Sequence, residues 1–178
     1  MKRLAIALII LAVASGASAQ QLNLDIPGLE ERASEVVDVT LDASMLRLAS
    51  KFLSSNDPDE RGVREMVQKL QGIYVRSYEF DRDGEYERSA IDRVRTQLGP
   101  AWKKIVNVRS KKSDNVEIYT LMRGDAVNGL LIISAEPREL TIVNIVGPVD
   151  LEKLANLEGQ FGIPRMSTRE KDKKEDRQ

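Results

Sequence analysis

The 178 residues contain neither histidine nor cysteine. Without an imidazole or a thiol there is no Ser-His-Asp triad, no Cys-His pair, no HExxH zinc site and no thiolate metal site. Serine chemistry fares no better, because no serine is followed three residues later by lysine and no GxSxG occurs. Phosphate loops of the GxGxxG or Walker type are missing as well. What remains is acid-base work by carboxylates, or binding without chemistry, and no cofactor or metal is expected.

Long apolar runs are also scarce. The only one, Leu4 to Ala14, is shorter than the roughly 20 residues a membrane-spanning helix needs. It follows the basic "MKR" and leads into small residues ending "ASA" at Ala19, the three parts of a secretory leader. We therefore expect residues 1–19 to be removed, an exported protein of the periplasm or cell exterior, and no transmembrane segment afterwards. With Lys2 and Arg3 gone, 25 basic side chains face 28 acidic ones, a net charge of −3 that gives nucleic acid no electrostatic attraction. The remaining 159 residues suit one domain with its own core. No disulfide supports that core, so packing must hold it.

Periodicity divides the chain into a connector at 20–35, a domain at 36–164 and a charged tail at 165–178 expected to be disordered. "EVVDVTL" alternates Val37, Val39 and Leu41 on one face, the pattern of a half-buried strand. Asp42 can cap a helix that would bury Met45, Leu48, Ala49, Phe52 and Leu53. A second helix, capped near Asp57 with Pro58 in its first turn, presents Val63, Met66, Val67 and Leu70 and stops at Gly72. The β-rich "GIYVRSYEF" predicts a strand over Gly72–Phe80, followed by a third helix at about Glu85–Leu98 burying Tyr86, Ala90, Ile91, Val94 and Leu98.

Four short apolar runs follow, at Ile105–Val108, Val116–Met122, Val127–Ser134 and Leu140–Val146, with links short enough to predict an antiparallel meander. The last two runs are apolar at nearly every position, so both their faces should be covered. Helices would cover one face, and a short C-terminal helix or a second subunit the other. The expected architecture is α+β: an antiparallel β-meander with helices mainly on one face, closed by that short C-terminal helix.

Candidate sites are few. Asp81, Asp83, Glu85 and Glu87 cluster around Gly84, but an EF-hand register puts Ala90 where the closing bidentate Glu belongs. These carboxylates are also the best candidates for a general acid and base; a solvated turn explains them equally. Tyr74, Arg76 and Tyr78 share one strand face and suit an anionic or sugar ligand, or else an amphipathic sheet surface. Arg123–Asp125 spells RGD, an adhesion tripeptide, at a position that needs a two-residue hairpin turn. Trp102 should anchor the corner between the third helix and the meander. The junction "IVGPVDLEKL" resembles a strand-to-helix ligand loop, but Pro148 has no N–H and Asp150 would repel an anion, which points to a corner.

The phrases "YVRSYEF", "DGEY", "PAWKKIVNVRSKK" and "AEPRELTIVNIVGPVDLEKL", behind a secretory leader, resemble the bacterial exported family called domain of unknown function 4252. The resemblance runs from about Val37 to Pro164. It implies export and a single domain, and it assigns no activity, ligand or site residue. The expected function is a non-catalytic module that binds an envelope component or protein, including a second copy, through a sheet face or edge. The alternative is a carboxylate-dependent hydrolase of cell-wall or sugar polymers.

Overall fold

The computed structural model describes residues 21–53, 56, 58–110 and 115–151. The leader, the cap at Asp57, the charged tail and all but Leu151 of the expected C-terminal helix lie outside them. The elements are strand β1 (Glu35–Asp42), helix α1 (Ala43–Ala49) with a 3₁₀ turn (Ser50–Phe52), helix α2 (Pro58–Lys69), and strand β2 (Gly72–Glu79). After these come a 3₁₀ turn (Arg88–Ile91) running into helix α3 (Asp92–Arg95), then β3 (Trp102–Val108), β4 (Asn115–Arg123), β5 (Ala126–Ala135) and β6 (Glu139–Val146).

All six strands form one antiparallel sheet in the order β1-β2-β6-β5-β4-β3. The expected meander is its β3-to-β6 part, and β2 pairs against β6 to extend it. Strands β5 and β6 are therefore interior, which explains why their residues are apolar on both faces. On one face, Leu46 of α1, Val67 of α2 and Leu70 just after it pack over Ile73, Ile118, Leu130 and Ile145. On the other, Tyr78, Tyr119, Leu121, Leu131, Ile133, Leu140 and Ile142 form the larger core with Ile91 and Val94.

Here the expectation of helices mainly on one face needs correction: α1 and α2 cover one side, α3 the other. Among the described residues, the second face is completed by Leu22 to Leu29, within the segment expected to be a connector. Leu22, Leu24, Ile26 and Leu29 are 3, 7, 4 and 0% exposed. Residues 21–26 of this strap run without joining the ladder, side chains satisfying their backbone, and 27–32 form a turn. Leu22 N–H donates to Asn144 Oδ1 (3.0 Å) and Ile26 N–H to Tyr78 Oη (3.1 Å). Asn23 exchanges two bonds with Gln97, its N–H donating to Oε1 at 2.8 Å and its carbonyl accepting from Nε2 at 2.7 Å.

The first helix is also rotated from its expected orientation. Leu46 and Ser50 face the sheet, while Met45, Leu48 and Phe52 are 50, 57 and 85% exposed. The cause is local: Asp42 ends β1 and at once caps α1, accepting from Ser44 and Met45 N–H, so the strand sets the helix's rotation. The third helix begins later than its periodicity predicts. Tyr86 stacks on Phe80 with ring centroids 5.2 Å apart and donates to the carbonyl of Glu136, which holds the preceding turn outside the helix. Its expected inward residues are all in or against the core. Trp102 anchors the corner as expected, 7% exposed.

Candidate functional site

The 3₁₀–α3 segment and strands β3, β4 and β5 converge on a cleft of about 560 Å³ beside the larger core. The 3₁₀ turn and α3 supply Arg88 and Arg95, separated by seven residues and so on one side of the helical segment. Strand β3 and its continuation supply Lys104 and Arg109, and β4 supplies Asn115 and Glu117. Ile91, Ile133 and Ala135 line its apolar part.

Glu117 is the electrostatic centre. Its carboxylate accepts from Arg95 Nε and an Arg95 terminal nitrogen, both at 3.1 Å, and from Tyr119 Oη at 2.7 Å, and pairs with Lys104 Nζ at 3.2 Å. Burial alone would push its carboxyl up, but the hydrogen bonds from Tyr119, Arg95 and Lys104 outweigh it and hold the pKa below the usual carboxylate value. Lys104 is held ionised by its contact with Tyr119, against a smaller cost of desolvation, and by Glu117. Its ammonium lies 4.9 Å from the Tyr119 ring centroid.

Arg88 and Arg109 are exposed and form no ion pair among the described residues. Asn115 Oδ1 accepts from Ser110 N–H at 3.0 Å, leaving its buried Nδ2 as a donor without a partner among the described residues. The cleft thus combines four cationic side chains and an unspent amide donor with one carboxylate already neutralised by its neighbours. Chemically it can hold an anion. A general acid needs a raised carboxyl pKa, and glycoside hydrolysis needs a second carboxylate across the cleft; Glu117 is lowered and alone among the lining residues.

None of the candidate site residues proposed from the sequence lines this cleft. Asp83 pairs with Arg138 (2.7 Å), Glu85 with Arg82 (2.8 Å), and Glu87 accepts from Ser89 (3.2 Å), while Asp81 lies exposed beside them. Asp81, Asp83 and Glu87 are exposed and Glu85 half-buried around Gly84 (φ +82°), and no group of three metal-ligating side chains exists among the described residues. Tyr74, Arg76 and Tyr78 do share the larger-core face, but the strap occupies it. Arg76 pairs with Asp25 (3.2 Å), Glu30 and Asp38 (2.7 Å), and its Nε donates to Tyr78 Oη (3.3 Å). This cluster clamps the strap to β1 and β2.

Arg123–Asp125 forms the exposed β4–β5 turn, with Gly124 at φ +61°. At the β6 junction Gly147 has φ +118°, and a Cβ there would lie 2.9 Å from Gln71 N. Gly147 and Val149 N–H donate to Asn128 and Val127 carbonyls, so those backbone donors serve the corner. The sequence offered only the seven-residue spacing of Arg88 and Arg95 as a hint of the cleft; its other charges come from strands that meet only in the sheet.

A family model described as Domain of unknown function (DUF4252) matches residues 31–157. No curated protein and no solved structure matches the chain.

Proposed function

The chain belongs to the DUF4252 family, and from that premise we propose that it is an exported, non-catalytic binding module whose cleft receives an anionic group of an envelope component. The three-part leader at residues 1–19 supports export. The observation that carries the binding role is the cleft's charge: Arg88, Arg95, Lys104 and Arg109 against Glu117, in a chain whose mature net charge is negative. Arg95 and Lys104 are spent on Glu117, which fixes them as the rigid wall. Arg88 and Arg109 remain for a ligand, and two guanidinium groups suit a phosphate or carboxylate better than a neutral sugar. The apolar part at Ile91, Ile133 and Ala135 favours a ligand with a hydrophobic portion next to its charge.

The test is a titration of the chain from Gln20 onward with inorganic phosphate and with a fatty-acyl phosphate, followed by backbone NMR. Shifts should gather at Arg88–Arg95, Lys104–Arg109 and Asn115–Glu117, tighter for the acylated probe, and an Arg88→Ala/Arg109→Ala double variant should lose them. Shifts scattered over surface lysines, or unchanged in the double variant, would remove the proposal.

A further inference from the structure

The two outer strands of the sheet, β1 and β3, pair on one side only among the described residues and are unlike each other. Strand β1 carries Glu35, Asp38 and Asp42 and no cation; β3 carries Lys103 and Lys104, with Arg109 just beyond it, and no acid. Asp38 and Lys104 are already paired within the chain, to Arg76 and Glu117, and Asp42 caps α1. Glu35 and Lys103 are exposed and make no ion pair among the described residues. Both edges also leave apolar side chains in water: Val36 and Val37 at 37 and 40% exposure on β1, Ile105 and Val108 at 52 and 49% on β3. Half of the large exposed hydrophobic side chains of the described residues are therefore on two edge strands.

Topology makes these edges compatible. Six strands alternate in direction across the sheet, so β1 and β3, at its two ends, run antiparallel to each other. A second copy displaced sideways along the sheet, keeping its orientation, sets its β1 antiparallel to the first copy's β3. The alternation continues unbroken, and strands of eight and seven residues match in length. Like charge opposes β1 against β1 and β3 against β3; only the mixed pairing brings opposite charges together.

We propose that copies of this chain associate head to tail, the acidic edge β1 of one pairing with the basic edge β3 of the next. Such a contact is heterologous: each added copy exposes a fresh edge, so association continues beyond a dimer. Strand β3 also lends Lys104 and Val108 to the cleft, but the association needs no bound anion, so loss of phosphate binding and loss of association are read separately.

The experiment uses the chain from Gln20 to Gln178, which keeps every described residue. Sedimentation velocity should show a series of species growing with concentration, weaker at about 0.5 M than at about 0.02 M salt, where exposed charges are less screened. Hydrogen exchange should show β1 and β3 gaining protection together as concentration rises. Glu35→Lys and Lys103→Glu should each weaken association about fivefold, the scale of one exposed ion pair, and an equal mixture of the two should recover it. A monomer at every concentration, protection gained at one edge only, or a mixture no better than either variant alone would overturn the proposal.

Discussion

Replacing Leu29 by alanine tests whether the strap belongs to the folded unit. Leu29 is 0% exposed and sits in the same cluster as Tyr78, Leu140 and Ile142, while its carbonyl accepts from Arg32 and Ala33 N–H. Truncation loses the transfer energy of the side chain and leaves a cavity, in the range of roughly 2–5 kcal/mol. The strap lies over the sheet instead of between layers and can settle partway, so we expect about 3 kcal/mol. For a chain of this length that lowers the melting temperature by about 10 °C. Urea unfolding followed by Trp102 fluorescence, with calorimetry beside it, measures both. Leu48→Ala, at a side chain 57% exposed, is the control and should cost under about 0.5 kcal/mol. A cost below about 1 kcal/mol for Leu29→Ala, or a separate early transition that leaves the main one unmoved, would show that the strap is not part of the core.

Arg76→Met should cost only about 1–3 kcal/mol in urea unfolding, because the carboxylates it releases, Asp25, Glu30 and Asp38, are 58–67% exposed and return to water. A loss above about 4 kcal/mol would contradict that. Gly147→Ala should cost at least about 2 kcal/mol, from a φ of +118° and a clash with Gln71 N, whereas Gly99→Ala, with open space, should be near neutral by thermal unfolding. Burial raises the Tyr86 hydroxyl from 10.0 to about 12, so its stabilisation is whole below pH 10 and falls away as pH rises through 12. Two units correspond to about 2.7 kcal/mol, and Tyr86→Phe should flatten that alkaline limb. The lowered carboxyl of Glu117 works in the other direction: its contribution is present above the ordinary Glu pKa and is lost as pH falls through the folded value, and Glu117→Gln should abolish that acid limb in unfolding curves.

Much of the fold was legible in the sequence because strands and amphipathic helices advertise themselves by local period. The α+β class, the strands at Glu35–Asp42 and Gly72–Glu79, the four of the meander and the inward face of the third helix all followed from it. Burial on both faces of β5 and β6 was written in their unbroken apolar runs, and the corner at Gly147 in the missing donors of Pro148. The strap's period was also present, in Leu22, Leu24 and Ile26, although these residues precede the matched family region. Its role could not be read there, since an extended segment bonded to side chains far along the chain has no ladder partner to predict.

The sequence by itself determined which chemistry the protein lacks, because an absent imidazole or thiol is absent in any fold, and it determined local structure wherever residues interact with near neighbours. Tertiary structure alone decided which way α1 faces, since its rotation is set by the strand from which it emerges. It alone gathered Arg95 and Glu117, 22 residues apart, into one cleft, and spread Asp83 and Glu85 onto separate arginines. It also placed an acidic strand and a basic strand at opposite edges of the sheet. Charges are indifferent to the period of the chain that carries them, and only strand order and register determine which of them meet.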